Sequence, residues 1–314
     1  MQKLRYVLGS ALICTALATP VAPVAADAAP KAPPLGVDLD KFDSSKRTMQ
    51  LPNGIALGYA EIGPHQGRPI VLIHGYTDNA RDWVPMLPYL DKSARLILVD
   101  IRGHGLSSKP ECCYTRFDFA YDIKLLLDAL HVAEADIVGH SLGSIIAQTF
   151  AEFWPERTHR LVLIASTGGS HPSCPASAVK AMDYRSEIAK LKDPIDPDSL
   201  WMVEWWSSPT PVDEDFIRRQ RKDSAQIPIK VWLAVLDQGD ARIDLQPMLP
   251  RIKAPTLLIW GEKDPIMVEK DRCALIRGLP SAEVKVFPGL GHNPFWEQPK
   301  AVADTLQAFL KQQP

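Results

Sequence analysis

Gly139-His140-Ser141-Leu142-Gly143 follows directly on the apolar run Ala135-Asp136-Ile137-Val138. The pattern is small-x-Ser-x-small, set between a buried strand and a helix. A serine at such a bend sits on strained backbone, with its hydroxyl exposed at the end of a sheet. Glycines on both sides have a steric reason, because larger side chains would collide with the neighbouring strand and helix. Ser141 is therefore read as a catalytic nucleophile.

Two later stretches supply partners for it. Pro255-Thr256-Leu257-Leu258-Ile259-Trp260-Gly261 reads as a buried strand with Glu262-Lys263-Asp264-Pro265 as its exit loop. Glu283-Val284-Lys285-Val286-Phe287 reads as a last strand, followed by the loop Gly289-Leu290-Gly291-His292-Asn293. A serine hydroxyl is a weak nucleophile at neutral pH, so a histidine must take its proton and return it to the leaving group. His292 fits that role, and Asp264 would hold the imidazole tautomer and stabilise the imidazolium. Asp100 precedes the serine in the chain, and Ala165-Ser166-Thr167 after the strand Leu161–Ile164 offers no carboxylate. Glu262 is the fallback acid.

The chain order Ser141, Asp264, His292 and the surrounding motifs resemble the α/β-hydrolase fold, in its capped, esterase- and lactonase-like serine hydrolases. The matching residues are His74-Gly75, Asp100-Ile101-Arg102-Gly103-His104-Gly105-Leu106-Ser107, the serine turn, Gly261-Glu262-Lys263-Asp264-Pro265 and Gly291-His292. Five motifs in one order are far more specific than any alone. The resemblance implies an α/β class fold, a mostly parallel doubly wound sheet with a helical cap inserted. It also implies an oxyanion hole built from the backbone N–H groups of Tyr76 and Leu142, the latter at a helix N-terminus. The Tyr76 hydroxyl would either meet substrate or pack on the pocket wall.

Other conspicuous residues read as structural. His74 would shape the oxyanion loop, and His140 beside the serine should point away from it. His104, Asp100 and Arg102 belong to a tight turn that satisfies buried polar groups. The scattered histidines contain no His-Glu-x-x-His and no Cys-x-x-Cys, so no metal site is expected. No glycine loop of phosphate- or dinucleotide-binding type is present, and no cofactor is expected.

Organisation follows from composition. Lys3 and Arg5 precede a short apolar stretch from Tyr6 to about Ala18, and small residues then run to Ala29. This reads as a signal peptide over 1–28 with cleavage near 26–28, giving a secreted or periplasmic protein. An uncleaved anchor is the runner-up, although the apolar run is short for a span. The expected layout is a flexible lead-in over 29–45, a core over 46–167, a cap over 168–244 and a second core part over 245–314. A net charge of −2 predicts no attraction to nucleic acid and no stable membrane association after cleavage.

Export would place Cys112, Cys113, Cys174 and Cys273 in an oxidising compartment. Adjacent cysteines bridge each other only with strain, so pairing with Cys174 or Cys273 is favoured if bonds form. Four free thiols remain the alternative.

Continuous apolar runs at Pro69–Ile73 and Arg95–Val99 suit central strands covered on both faces. Helical stretches alternate with them, at roughly Asn79–Leu90, Phe117–Leu130, Leu142–Trp154, Val268–Arg277 and Lys300–Lys311, placing ligands at the strands' carboxyl ends. The cap region carries Trp201, Trp205, Trp206 and Trp232. Trp201 and Trp205 share one helical face and either glue the cap down or, with Phe295, line an apolar pocket.

The expected reaction is hydrolysis of a small-molecule carboxylic ester or lactone, with an apolar substrate. Serine rules out relatives whose mechanism needs a carboxylate nucleophile. Rival readings are a carbon–carbon bond hydrolase, a proline iminopeptidase-like peptidase, an amidase, and a slow-turnover ligand-binding receptor. Pocket shape decides among these, and the fold does not.

Overall fold

The computed structural model describes residues 31–175, 183–238 and 245–312. The expected signal peptide lies outside them. Helix α1 (Leu39–Ser45) leads into β1 (Arg47–Gln50) and β2 (Ala56–Ile62), then β3 (Pro69–Ile73) and β4 (Arg95–Asp100). Next come α2 (Arg116–Ala129), β5 (Ala135–His140), α3 (Leu142–Phe153) and β6 (Thr158–Ile164). Four helices follow: α4 (Tyr184–Ile188), α5 (Leu200–Trp205), α6 (Glu214–Ser224) and α7 (Ile229–Gln238). The chain closes with β7 (Thr256–Gly261), α8 (Glu269–Gly278), β8 (Glu283–Phe287), α9 (Pro294–Glu297) and α10 (Pro299–Leu310).

The strands form one eight-stranded sheet in the order β1-β2-β4-β3-β5-β6-β7-β8. β2 runs antiparallel to β1 and β4, and every pairing from β4 through β8 is parallel. β4, β5 and β7 are buried at every position, as helices on both faces demand of a parallel sheet. The order reverses beside β3 and β5, so the loops leaving these strands flank the crevice where such sheets bind ligands. Those two loops carry Gly75-Tyr76 and Ser141.

Two expectations need correction here. The lead-in over 29–45 is not flexible throughout, because α1 buries Leu39 and Phe42 in the core. Asp38 caps it, its carboxylate accepting from the N–H of Lys41. The stretch read as a helix over Asn79–Leu90 is a 3-10 segment, Ala80–Tyr89, containing Pro85 and Pro88. Neither proline has an N–H to give, so a regular α-helical ladder cannot form there.

Cys174 pairs with Cys273, tying the chain after β6 to α8 across 99 residues. Cys112 pairs with its neighbour Cys113, which takes a left-handed φ of 74°. The expectation that adjacent cysteines would look elsewhere is thus corrected. Cys174 lies beside Cys273 in the fold, and those two are matched to each other.

Candidate active site

Ser141 sits between β5 and α3 with φ 51° and ψ −119°, backbone that a side chain rarely accepts. The glycines around it explain why the chain can make this bend. A Cβ on Gly139 would overlap the carbonyl of Gly143, and one on Gly143 would overlap the carbonyls of Ile73 and His74. α3 therefore begins hard against the end of β3. That contact brings Leu142, its first residue, beside the loop carrying Tyr76.

His292 lies in the loop between β8 and α9. Its Nε2 is 2.9 Å from Ser141 Oγ, and its Nδ1 is 2.9 Å from Asp264 Oδ2. Burial alone would raise the Asp264 carboxyl, but the His292 ring and the N–H groups of Ile266 and Met267 outweigh it. Together they hold it at about 2. Asp264 is therefore an ionised acceptor at neutral pH, as an orienting acid must be. Glu262 does not compete, since its carboxylate accepts from the N–H of Gly289 and steadies the same loop from outside.

The loop after β3 is braced from beneath by two histidines. His74 Nδ1–H donates to Gly75 O, and its Nε2 accepts from the N–H of Ile101. Burial, helped by neighbouring His104, pushes His74 down to about 3. His104 accepts from the N–H of Thr77 and is itself pushed down to about 4 by burial. Both imidazoles are neutral braces, in the structural role read for them. Asp100 accepts from Lys46 and from the N–H groups of Ala80 and Leu106, while Arg102 forks onto Asp122.

Above this loop the cap supplies an aromatic roof. Trp201 stacks on Trp205 with ring centres 5.2 Å apart, and Tyr184, Tyr76 and Trp232 pack around them. Trp205 Nε1 donates to Thr77 Oγ1, and the Tyr76 hydroxyl donates to the carbonyl of Trp232. Trp205 and Tyr76 therefore both fasten the cap to the loop, while Trp201 and Trp205 keep part of their surface open. Phe295 is different. It is 0% exposed, stacked on Trp83 and edge-on to His140, so it lines no open cavity. The pocket role expected for Phe295 is corrected to packing behind the histidine loop.

Glu297 was not singled out in the sequence. It accepts from the N–H of Gly291 and from Thr210 of the cap, clamping the loop that presents His292. The available signal was an acidic residue closing the apolar run Pro294-Phe295-Trp296.

Residues 68–299 match the alpha/beta hydrolase fold family, and the chain belongs to it. It is 33% identical over 259 residues to a 2-hydroxy-6-oxononadienedioate/2-hydroxy-6-oxononatrienedioate hydrolase of Paraburkholderia phymatum, covering 77% of this chain and 87% of that one. It is 25% identical over 259 residues to 3-oxoadipate enol-lactonase 2 of Acinetobacter baylyi, covering 82% and 94%. Among solved structures, a bacterial membrane phospholipase A matches with a TM-score of 0.72 and 26% identity, over 85% of each chain.

Proposed function

We propose that this chain is an exported serine hydrolase that cleaves carboxylic esters or lactones through an acyl-enzyme on Ser141. The observation that carries the reading is the unbroken chain Ser141 Oγ–His292–Asp264 Oδ2 at the carboxyl ends of the strands. His292 takes the hydroxyl proton as Ser141 attacks the carbonyl, and returns it to the leaving alcohol. The same base then activates water to release the acid. The backbone N–H groups of Tyr76 and Leu142 would hold the oxyanion, a contribution of roughly 3–4 kcal/mol per donor. The roof of Trp201 and Trp205 suits an apolar acyl or alkoxy group.

Carbon–carbon bond hydrolysis is the second reading, favoured by the 33% identity to the Paraburkholderia hydrolase. A panel of p-nitrophenyl esters, lactones and vinylogous 1,5-diketones, each assayed with Ser141→Ala alongside, separates the two. Ester or lactone turnover that falls at least about a thousandfold in the variant supports the proposal. Turnover of the diketones alone replaces it with the second reading, and wild-type rates in the variant sink both.

Export is supported by the basic start Lys3 and Arg5, the short apolar stretch and the small residues up to Ala29. N-terminal sequencing of the protein recovered outside the cytoplasm should begin between Asp27 and Ala29. A chain that still starts at Met1 would count against cleavage.

A further inference from the structure

Behind the proposed base lies a cluster of three buried groups that the triad does not use. Asp78 and Asp82 come from the loop and 3-10 segment after β3, and His140 from the last position of β5. One ligand atom from each lies within 4.8 Å of the other two. His140 Nε2–H donates to the main-chain carbonyl of His292 at 3.1 Å. Its other nitrogen, Nδ1, is 3.5 Å from Asp82 Oδ2. Among the described residues, neither His140 Nδ1 nor Asp82 Oδ2 has a hydrogen-bond partner, and both residues are buried.

With a proton on Nε2, a neutral imidazole would turn a lone pair at Nδ1 toward a carboxylate oxygen. Two acceptors facing each other inside a protein repel, and each has also given up water. One added proton between them converts the repulsion into a charge-assisted hydrogen bond.

We propose that a proton is retained between His140 Nδ1 and Asp82 Oδ2, making His140 a positioning residue that bridges the oxyanion loop to the histidine loop. The groups facing it are few. Trp296 Nε1 donates to Asp82 Oδ1, leaving Oδ2 for His140. Gln220 of the cap donates to Asp78 Oδ1, and the ring of His292 is 5.1 Å away, centre to centre. Arg81, the nearest cation in sequence, turns instead to Asp43 and Asp223. Burial and the neighbouring Asp82 push the Asp78 carboxyl well above its ordinary range. Three protein ligand atoms alone do not complete the shell of a divalent ion, which favours a proton over a metal.

The consequence concerns the base. His140 ends β5 and Ser141 follows it directly, so the bridge fixes the carbonyl of His292 relative to the nucleophile it serves. This rests on the serine-hydrolase reading for its kinetic effect, whereas the proton's location does not.

Ring-nitrogen NMR of 15N-histidine-labelled protein tests the location, with the His140 signals identified by their loss in His140→Asn. At pH about 8, where an unpaired histidine is neutral, both His140 nitrogens should carry protons, and Nδ1 should lose its proton in Asp82→Asn. A bare Nδ1 in the wild-type protein would overturn the proposal, as would a stoichiometric metal ion found by elemental analysis. On the preferred ester, His140→Phe, which keeps the ring packing on Phe295, should lower kcat about tenfold with KM within about twofold. An unchanged kcat in a folded His140→Phe would overturn the positioning role. Wild-type rates in Ser141→Ala would instead remove the enzymatic reading and leave the NMR result standing.

Discussion

Ser141 and Asp264 are each held in a state that an isolated side chain would not keep. Ser141 has a positive φ that only the packing of β5 against α3 sustains, and this lifts its hydroxyl toward His292. Asp264 stays ionised despite burial because an imidazole and two backbone N–H groups converge on it. Replacing its charge without changing its shape should therefore be costly. Asp264→Asn would present an amide N–H to His292 and favour the wrong tautomer, lowering kcat about 10³- to 10⁴-fold with little change in KM. Steady-state kinetics on the preferred ester measures this, and a loss under tenfold would argue that Asp264 is not the orienting acid.

At the scale of elements, the site is made by close approach. α3 starts so near the end of β3 that the carbonyls of Ile73 and His74 lie against Gly143. Backbone cannot swing aside as a flexible side chain would, so Gly143→Ala should destabilise the fold by about 3 kcal/mol. Denaturant unfolding of the variant checks this, and a loss below about 1 kcal/mol would mean that α3 can retreat. The cap meets the core through equally specific contacts. α5 reaches the loop after β3 through Trp205 and Thr77, and α6 reaches it through Gln220 and Asp78. Seating the helices α5 and α6 and shaping that loop are thus one packing problem.

Across the whole molecule, buried ionisable groups couple the fold to pH. Burial holds His74 at about 3 and His104 at about 4, whereas unfolding returns both to about 6.5. Below that value the unfolded chain binds protons that the native chain refuses, so stability rises with pH. Their contribution is complete above about pH 6.5 and is lost as the pH falls toward about 4 for His104 and about 3 for His74. His104→Gln keeps an acceptor for Thr77 but removes one such proton. Between about pH 4.5 and 6, its stability should depend on pH less steeply, by up to about 1.4 kcal/mol per pH unit. Denaturant unfolding across that range compares the two proteins, and parallel slopes would refute the assignment.

Local pattern carried much of this protein. The serine turn, the order of Ser141, Asp264 and His292, and the apolar runs of β3, β4 and β7 could all be read directly. Each depends on period, steric size or chemistry within a few residues. Long-range pairing had no such trace. Nothing near Glu297 announces Gly291 and Thr210, and nothing near Cys174 announces Cys273, because chain distance does not encode proximity. Phe295 and Phe42 show the same limit from the other side, since an aromatic ring looks alike whether it will line a pocket, pack a core or end a lead-in. The sequence by itself determined the sheet, the bend and the order of Ser141, Asp264 and His292, through patterns that short stretches of chain impose. Only the tertiary structure decided which buried groups meet behind His292 and which tryptophans fasten the cap, because those contacts exist only once distant segments have packed.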